Sequence, residues 1–592
     1  MNKVIVFALI LLGTFPKQNS NKPMQDVLLT NHIGYLEEGF KKVVLQTQQE
    51  IVPDYFNIID KNGKSVFKGK FAKGGKIDNW HSGYAYAGNF TAFKQHGEYH
   101  IITKLGNQLL KSSIFSISNT SLAQKSLSLL TEGFESQHVS GEYNKKDKKM
   151  SFFGTRNDIV DVSGGWYDAS GDKAKYFSHL CYSNYLNPQQ TPLFVWNLLQ
   201  SIELYSKNLK KSNDVIISRL LNEAQYGADF LLKMQDAEGY FYLTVFANWS
   251  GDPEKREICA YEGQDGKRTD AYKAGFREGA GIAIAALARA SMAIGSDSNK
   301  PQEYLKSAEK GFAHLLEFNE QYIDNGIENI IDDYCALLAA TELFAVTHNE
   351  EYLVHARTRM LNLTNRLSTD DNHKDWWRAD DKGFRPFFHG ADAGLPLISL
   401  SRYLEFEKQA SSRDIAINAI QKSVDFELNI TREVYNPFGY PRQYVKAVNE
   451  NQNRSTFFIP HQNETGYWWQ GENSRLASLS AAFYLTRIYM TDKQRAMAME
   501  YASNNFDWIF GLNPFNVCMV DGLGYNNPEY VESVNLNFRG GVCNGITAGF
   551  NDESDIAFMP LPQNDDPAQR WRWSEQWMPH ASWLMLAVTA AE

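Results

Sequence analysis

The densest chemistry in the chain lies between Asp161 and Tyr176: Asp-Val-Ser-Gly-Gly-Trp-Tyr-Asp-Ala-Ser-Gly-Asp-Lys-Ala-Lys-Tyr. Gly164 and Gly165 before Trp166, and Gly171 before Asp172, argue against helix here. Tight turns in such a segment can bring the carboxylates of Asp168 and Asp172 to one point. Two carboxylates beside a Trp and a Tyr suit the hydrolysis of a glycosidic bond. One accepts a proton from water, the other orients that water, and Trp166 and Tyr167 hold the sugar. The same residues also fit a pair of Asx-turns or a calcium loop.

A second group runs from Arg570 to His580, Arg-Trp-Arg-Trp-Ser-Glu-Gln-Trp-Met-Pro-His. Glu575 stands among three tryptophans, one of them Trp573, at an expected helix start. Apolar rings desolvate a carboxyl and raise its pKa, which suits a general acid near neutrality. Equally, an acidic residue there complements a helix dipole. The third group is Ile459–Arg475, in which His461, Gln462, Asn463 and Glu464 precede Trp468 and Trp469. Hydrogen-bonding side chains next to adjacent rings are what a sugar subsite offers, although a lone His461 is more often structural. Weaker groups are Trp376–Asp380 and Arg385–Asp392. Asp332 and Asp333 open an apolar helix and read as a cap.

These groups need elements to hold them. Short β-type runs separated by turn residues fill the first part of the chain: 26–31, 41–47, 55–60, 64–69, 97–104 and 113–118. Lys61-Asn62-Gly63 between two of them reads as a hairpin turn. Strands at this spacing suggest a small β-sandwich. It could bind carbohydrate or simply pack on its neighbour, and no row of exposed tryptophans favours the first. After Thr120 the pattern becomes helical, with helices expected at 121–132, 192–207, 214–235, 275–295, 301–318, 328–347, 349–366, 392–408, 412–431, 473–490, 492–510 and 576–591. Twelve helices could pair into a toroid of six inner and six outer ones. The segments between them at 133–191, 236–274, 367–391, 432–472 and 511–575 are long and rich in Gly, Asn, Trp and Tyr. Loops of that length in a compact domain usually carry function, and the chemical groups lie in them. The expected division is a signal peptide at 1–20, a β-sandwich at 21–120 and a helical domain at 121–592.

Composition narrows the classes. The chain has 592 residues, 43% of them hydrophobic, and a formal net charge of −10. No Lys/Arg block stands out, so nucleic-acid binding is disfavoured. Aromatics are in excess, with 36 Phe, 30 Tyr and 13 Trp. The five cysteines are far apart with no C-x-x-C pair, so no zinc site is expected and most should be buried thiols. The apolar run Val4–Leu12 after Lys3 is too short to span a bilayer but suits a signal peptide, so the protein is expected to be exported, periplasmic or secreted, and without stable membrane insertion. No phosphate loop, H-E-x-x-H, G-x-S-x-G or dinucleotide fingerprint occurs in the right context.

The segment 161–172, the Glu575 segment and the opening Asn31-His32-Ile33-Gly34-Tyr35 resemble glycoside hydrolase family 9 with its N-terminal immunoglobulin-like domain. Residues 272–290 and 328–340 add to the resemblance, which covers about 26–590. It implies a mainly α fold, an (α/α)6 barrel preceded by a small Ig-like β-sandwich, and an inverting mechanism. By position, Asp172 resembles the general base, Asp168 its partner in holding water, and Glu575 the general acid, with acid and base roughly 6.5–9.5 Å apart. Trp166, Tyr167, His461, Trp468, Trp469 and Trp573 are the expected substrate-binding residues. The chain departs from the family in two ways. Ser170 is inserted in the usual Asp-Ala-Gly-Asp, and no His-x-Arg follows Gly511-Leu512-Asn513-Pro514.

Ser170, residues 187–192, 518–522, 540–549 and 573–580 are similar to the family's exo-β-D-glucosaminidase branch, which implies release of glucosamine from chitosan- or chitobiose-type oligosaccharides. A protonated 2-amino group would favour nearby carboxylates, and Asp521, Glu529, Asp552 and Glu553 are candidates. The alternatives are an endo-β-1,4-glucanase and a non-catalytic carbohydrate-binding protein. The expected partner is an oligo- or polysaccharide. No cofactor and no metal ligand is assigned; relatives often hold structural calcium, but no D-x-D-x-D-G loop is present here.

Overall fold

The computed structural model describes residues 26–592 except 52, 209–213, 295–298, 531–535 and 561–565. The expected signal peptide, 1–20, lies outside the described residues. The first part of the chain forms two facing sheets from β1 (Val27–Leu29), β2 (Tyr35–Leu36), β3 (Lys42–Thr47), β4 (Tyr55–Asp60), β5 (Ser65–Lys70), β6 (Gly75–Lys76), β7 (Tyr84–Asn89), β8 (Gly97–Leu105), β9 (Gln108–Lys111) and β10 (Phe115–Ser118). One sheet runs β1-β3-β7-β6, the other β2-β10-β8-β4-β5 with β9 on β8. The β4–β5 turn is the expected hairpin. Asp60 accepts from the backbone of Asn62 and Lys64, and Gly63 takes φ 78°, which favours glycine.

Strand β3 is buried along its whole length. Successive side chains of a strand face opposite sides. Val43 and Leu45 enter the sandwich core with Phe56, Ile58, Ile101 and Phe115, while Val44 joins the core of the helical part. So this sandwich has two buried faces, and one packs on its neighbour.

The helical part contains α1 (Leu122–Ser136), α2 (Gly141–Asp147), α3 (Thr191–Asn208), α4 (Asp214–Lys233), α5 (Ala280–Ala293), α6 (Lys300–Tyr322), α7 (Ile330–Thr347), α8 (Glu350–Thr364), α9 (Leu395–Leu404), α10 (Ala410–Thr431), α11 (Asn473–Thr486), α12 (Asp492–Ile509), α13 (Trp571–Ser574) and α14 (Met578–Ala590). Helices α3, α5, α7, α9, α11 and α14 each pack on the next, and α14 returns to α3. Their outer partners are α4, α6, α8, α10, α12 and, for α14, α1. Every residue of α14 is buried, as are Ala280–Ala290 of α5. Helices apolar all round belong inside, whereas α6 and α8 keep exposed polar faces. Asn329 and Asp332 form a capping box on α7, as the sequence reading of a cap there held.

Long segments lead into the N-terminal ends of five of the six ring helices, all but α7. The one before α3 and the one before α5 build a small sheet together, in the order β11 (Lys175–Tyr176), β13 (Thr244–Phe246), β14 (Glu257–Glu262) and β15 (Lys267–Thr269). Beside it β12 (Phe241–Tyr242) pairs with β16 (Lys273–Ala274).

Candidate active site

A cleft of about 320 Å³ is lined by residues from four of these segments. Asp168, Gly171, Asp172 and His179 precede α3; Trp249 and Gln264 precede α5; Tyr467, Trp468 and Gln470 precede α11; Tyr530, Trp571, Glu575 and Trp577 precede α14. The three carboxyl groups picked from the sequence therefore share one cleft.

The two aspartates sit on a tight turn. Ala169 N–H donates to the Asp172 carbonyl at 3.2 Å and Asp172 N–H to the Ala169 carbonyl at 3.3 Å. Asp172 is well supplied with donors. Its Oδ1 accepts from Ala174 N–H (2.8 Å), and its Oδ2 from the Tyr176 hydroxyl (2.8 Å) and Trp249 Nε1 (3.2 Å). Asp168 Oδ2 accepts from Trp577 Nε1 at 2.9 Å. Burial raises the pKa of both. At Asp168 the nearby charges of Asp172 and Glu575 push the same way, so it lies well above the usual carboxylate range; at Asp172 the donors and Arg256 oppose the rise. Of the two, Asp172 is therefore held closer to the ordinary carboxylate range than Asp168.

Glu575 lies in the gap between α13 and α14, in extended backbone (φ −62°, ψ 134°), rather than at a helix start. Its carbonyl accepts from Asn544 N–H at 2.8 Å. Ser170 joins this segment to the aspartate turn: Ser170 N–H donates to the Gln576 carbonyl at 2.8 Å, and Gln576 N–H donates back to Ser170 Oγ at 3.1 Å. Gly171 lies directly against the acid. A Cβ there would stand 2.5 Å from Glu575 Oε1.

Of the six residues expected to bind sugar, Trp468 lines the cleft and the other five do not. Trp166 is fully buried, with Nε1 bonded to Glu223 and its ring against Phe134 and Phe194. Tyr167 is buried, with its hydroxyl on the backbone of Ser140. His461 stacks on Trp469 at 4.1 Å, and the Arg572 guanidinium covers Trp469 at 4.2 Å. Trp573 is fully buried and donates to the Ala557 carbonyl. Trp166, Tyr167, Trp469 and Trp573 are large rings buried away from the cleft, whereas His461 is half-buried. The four acids proposed for an amino group also lie off the cleft lining. Glu553 is tied to Arg454 and His461 N–H, and Asp552 accepts from Ser554 N–H.

Trp249, Tyr467, Trp571, Trp577, Tyr530, His179, Gln264 and Gln470 line the cleft without having been singled out for it. Trp249 had the faintest signal, one Trp in a polar Asn-Trp-Ser-Gly-Asp turn. It and Asn248 both adopt left-handed backbone (φ 49° and 53°), a strained state that clusters at functional sites. His179 Nδ1 pairs with the Tyr261 hydroxyl at 2.7 Å, and burial holds its pKa down to about 3, so it meets the cleft as a neutral ring.

Among the described residues no three His, Cys, Asp or Glu side chains gather to hold a metal ion, and no helix is long and apolar enough to cross a membrane. All five cysteines are buried free thiols.

Carboxylates on a rigid turn, a third carboxyl facing them and rings around the cleft define a carbohydrate-cleaving hydrolase. The description "Glycosyl hydrolase family 9" matches residues 124–538, and "Cellulase N-terminal ig-like domain" matches residues 24–106. The chain belongs to glycosyl hydrolase family 9 and is a cellulase-like enzyme. It is 25% identical to a cellodextrinase of Butyrivibrio fibrisolvens over 566 residues, 89% of this chain and 91% of the relative. It is 23% identical to a xyloglucan-specific endo-β-1,4-glucanase of Bacteroides ovatus over 419 residues, 69% of this chain and 64% of the relative. A solved family 9 protein of Bacteroides ovatus has the same fold, with a TM-score of 0.64 at 19% identity, covering 95% of this chain and 98% of that one. A metagenome-derived family 9 endoglucanase gives 0.65 at 18%, with the same shares.

Proposed function

We propose that the enzyme hydrolyses β-1,4 linkages of short glucan chains with inversion. The observation that carries this is the convergence of Asp168, Asp172 and Glu575 in one ring-lined cleft. Asp172 is the general base, and its three donors favour its charged form against the effect of burial. Asp168 orients the water, and Glu575 protonates the leaving oxygen. Trp468, Trp249, Tyr467 and Trp571 offer faces and edges to the sugar rings. The names of the relatives, a cellodextrinase and endo-β-1,4-glucanases, support glucose-based substrates. The closed succession of ring helices, each with an outer partner, supports an (α/α)6 barrel. NMR of the first product from a β-linked oligosaccharide tests the mechanism. The α-anomer appears first if the bond is inverted; β-anomer first would rule it out.

One observation favours glucosamine as a second substrate. No Lys or Arg lines the cleft among the described residues, while three carboxyl groups do. A protonated 2-amino group would be attracted there. Chromatography of products from chitosan and cello-oligosaccharides side by side separates the two. Glucosamine released from the first substrate alone would make the enzyme a glucosaminidase. Export remains part of the proposal and rests on residues 1–20.

A further inference from the structure

Three charged side chains lie wholly inside the protein beside the aspartate turn. Asp147 ends α2, Lys175 opens β11 and Arg256 stands just before β14. All three side chains are fully buried. Arg256 is forked onto Asp147, with Nε on Oδ1 at 2.8 Å and Nη2 on Oδ2 at 3.0 Å. Lys175 Nζ lies 2.7 Å from the same Oδ2. One carboxylate thus answers two cations. Lys233, whose charge also reaches Lys175, is met by Asp161 at 3.4 Å and by the Ser163 hydroxyl at 2.8 Å. The buried three therefore carry one positive charge in excess. Charges this deep are costly to bury, and rings surround them: Phe230 lies 4.5 Å from Lys175 Nζ and Tyr143 5.3 Å from the Arg256 guanidinium. In such a setting a charge is weakly screened.

The same groups hold both flanks of the turn that carries Asp168 and Asp172. Before the turn, Lys175 Nζ donates to the carbonyls of Val162 and Gly164, the latter at 3.1 Å, and Val162 N–H donates to the Asp147 carbonyl at 2.9 Å. After it, Arg256 Nη1 donates to the carbonyl of Lys173, the residue that follows Asp172. Ala174 sits between these two held positions and bonds both aspartates. Its N–H donates to Asp172 Oδ1 at 2.8 Å, and its carbonyl accepts from Asp168 N–H at 3.1 Å.

We propose that Asp147, Lys175 and Arg256 are positioning residues for the general base: their bonds fix the turn from both sides, and their one excess positive charge supports the negative charge that Asp172 needs. This rests on the role proposed above for Asp172. A base must be ionised before it takes a proton from water. Two further carboxyl groups, Asp168 and Glu575, share the cleft with Asp172. Arg256 and Lys173 favour its charge, and burial keeps the hydroxyls of Tyr143, Tyr176 and Tyr261 protonated around it. On the segment leading to Arg256, Asp252 pairs with Lys255 and Glu254 with Lys146, so their charges cancel. Of the two cations that favour Asp172, Arg256 is the one locked in place by a carboxylate; Lys173 lies over the ring of Tyr167.

The test is the pH dependence of kcat/KM for the full-length enzyme on cellotetraose or chitosan tetraose, whichever it cleaves. The acid limb reports the first proton lost by the aspartate pair. Arg256→Met leaves Asp147 and Lys175 balanced and should move that limb upward by about one pH unit. Asp147→Asn leaves two cations and should move it downward. Arg256→Lys keeps the charge but loses the fork, so its limb should stay in place while kcat falls about tenfold. Lost packing alone would lower kcat without moving the limb. An unmoved limb in folded Arg256→Met therefore overturns the proposal, as do shifts of the same sign in Arg256→Met and Asp147→Asn. Should Arg256→Met fail to fold, Arg256→Gln removes the same charge and is read in the same way. Should Asp147→Asn fail to fold, equal shifts in Arg256→Met and Arg256→Lys overturn the proposal instead. Asp172→Asn, run alongside, separates the two claims. If it still turns over at the wild-type rate, the base role falls and this proposal with it; if it is inactive and the limb of Arg256→Met is unmoved, the positioning proposal alone falls.

Discussion

Asp168 and Asp172 are four residues apart, the first buried and the second half-buried, and they are not equivalent. Three donors stabilise charge on Asp172, whereas Asp168 has the Trp577 indole and two carboxyl neighbours. Asp172→Asn should therefore lower kcat by about 10²–10⁴-fold, the usual worth of a general base. Oligosaccharide binding by calorimetry should persist; unchanged kcat would remove Asp172 from the mechanism. Glu575→Gln should slow natural oligosaccharides far more than aryl glycosides with a good leaving group, which need little protonation. Equal losses on both would argue against an acid role. The carboxyl groups were legible because glycines and rings around an Asp are unusual. The rings were not legible, since a loop has no periodicity to tell which side faces solvent. Trp166 went to the core and Trp249 to the cleft on contacts that only the folded chain supplies.

At the scale of elements, the turn 168–172 and the segment 571–577 act as one unit because Ser170 bonds Gln576 in both directions. Gly171→Ala puts a methyl group 2.5 Å from Glu575 Oε1, and the carboxyl is the end of a flexible chain, so the acid moves rather than the fold. This variant should melt near the wild-type temperature but lose about tenfold or more in kcat on natural oligosaccharides, since small misplacements of a catalytic group are costly. Its loss on aryl glycosides should be smaller. A different element carries the pH dependence of stability. Glu278, just before α5, is buried, and that burial raises its pKa from 4.5 to about 8 despite the neighbouring Arg277. The folded protein holds a proton that the unfolded chain has released, so this contribution is complete below about pH 4.5 and is lost as pH rises through 8. Glu278→Gln should flatten the fall in unfolding free energy across that range, at about 1.4 kcal/mol per pH unit at most. An unaltered slope in denaturant titrations at pH 5 and pH 8 would contradict it. All twelve helices read from the sequence are present, because their apolar spacing is long enough to see. Missed were the helices α2 and α13, of seven and four residues, and in the sandwich the strands β2, β6, β7 and β9; all but β7 are too short to show a period, and β7, Tyr-Ala-Tyr-Ala-Gly-Asn, is half Ala and Gly, which are weak strand formers.

For the whole molecule, the Ig-like sandwich and the helical part share a buried boundary. Lys42 reaches across to the carbonyls of Pro437 and Phe438 and to Asn504, and Asn31 reaches Asp507. Trp80 packs among Phe457, Phe458, Tyr440 and Trp508. A boundary so apolar should couple the two parts, and calorimetry should show one cooperative transition. Two separated transitions would show that the sandwich is an independent module. Lys42→Met would leave its acceptors without a donor and should cost about 2–4 kcal/mol in denaturant titrations. The existence of two domains was legible from the change of texture near residue 120. Their boundary was not, because Lys42 and Trp80 look like surface and hairpin residues until their partners, some four hundred positions away, are in place.

Ring closure also bears on biosynthesis. Helix α14 is the last of the six to be made and sits between α3 and α11, with α1 outside it. Until it emerges from the ribosome, α3 and α11 have no shared neighbour, and the segment carrying Glu575 has nothing to lie against. Contacts between residues so far apart in sequence form slowly and leave apolar surface waiting. The nascent chain thus carries Asp168 and Asp172 long before Glu575, and the succession of ring helices can close only once α14 has been made.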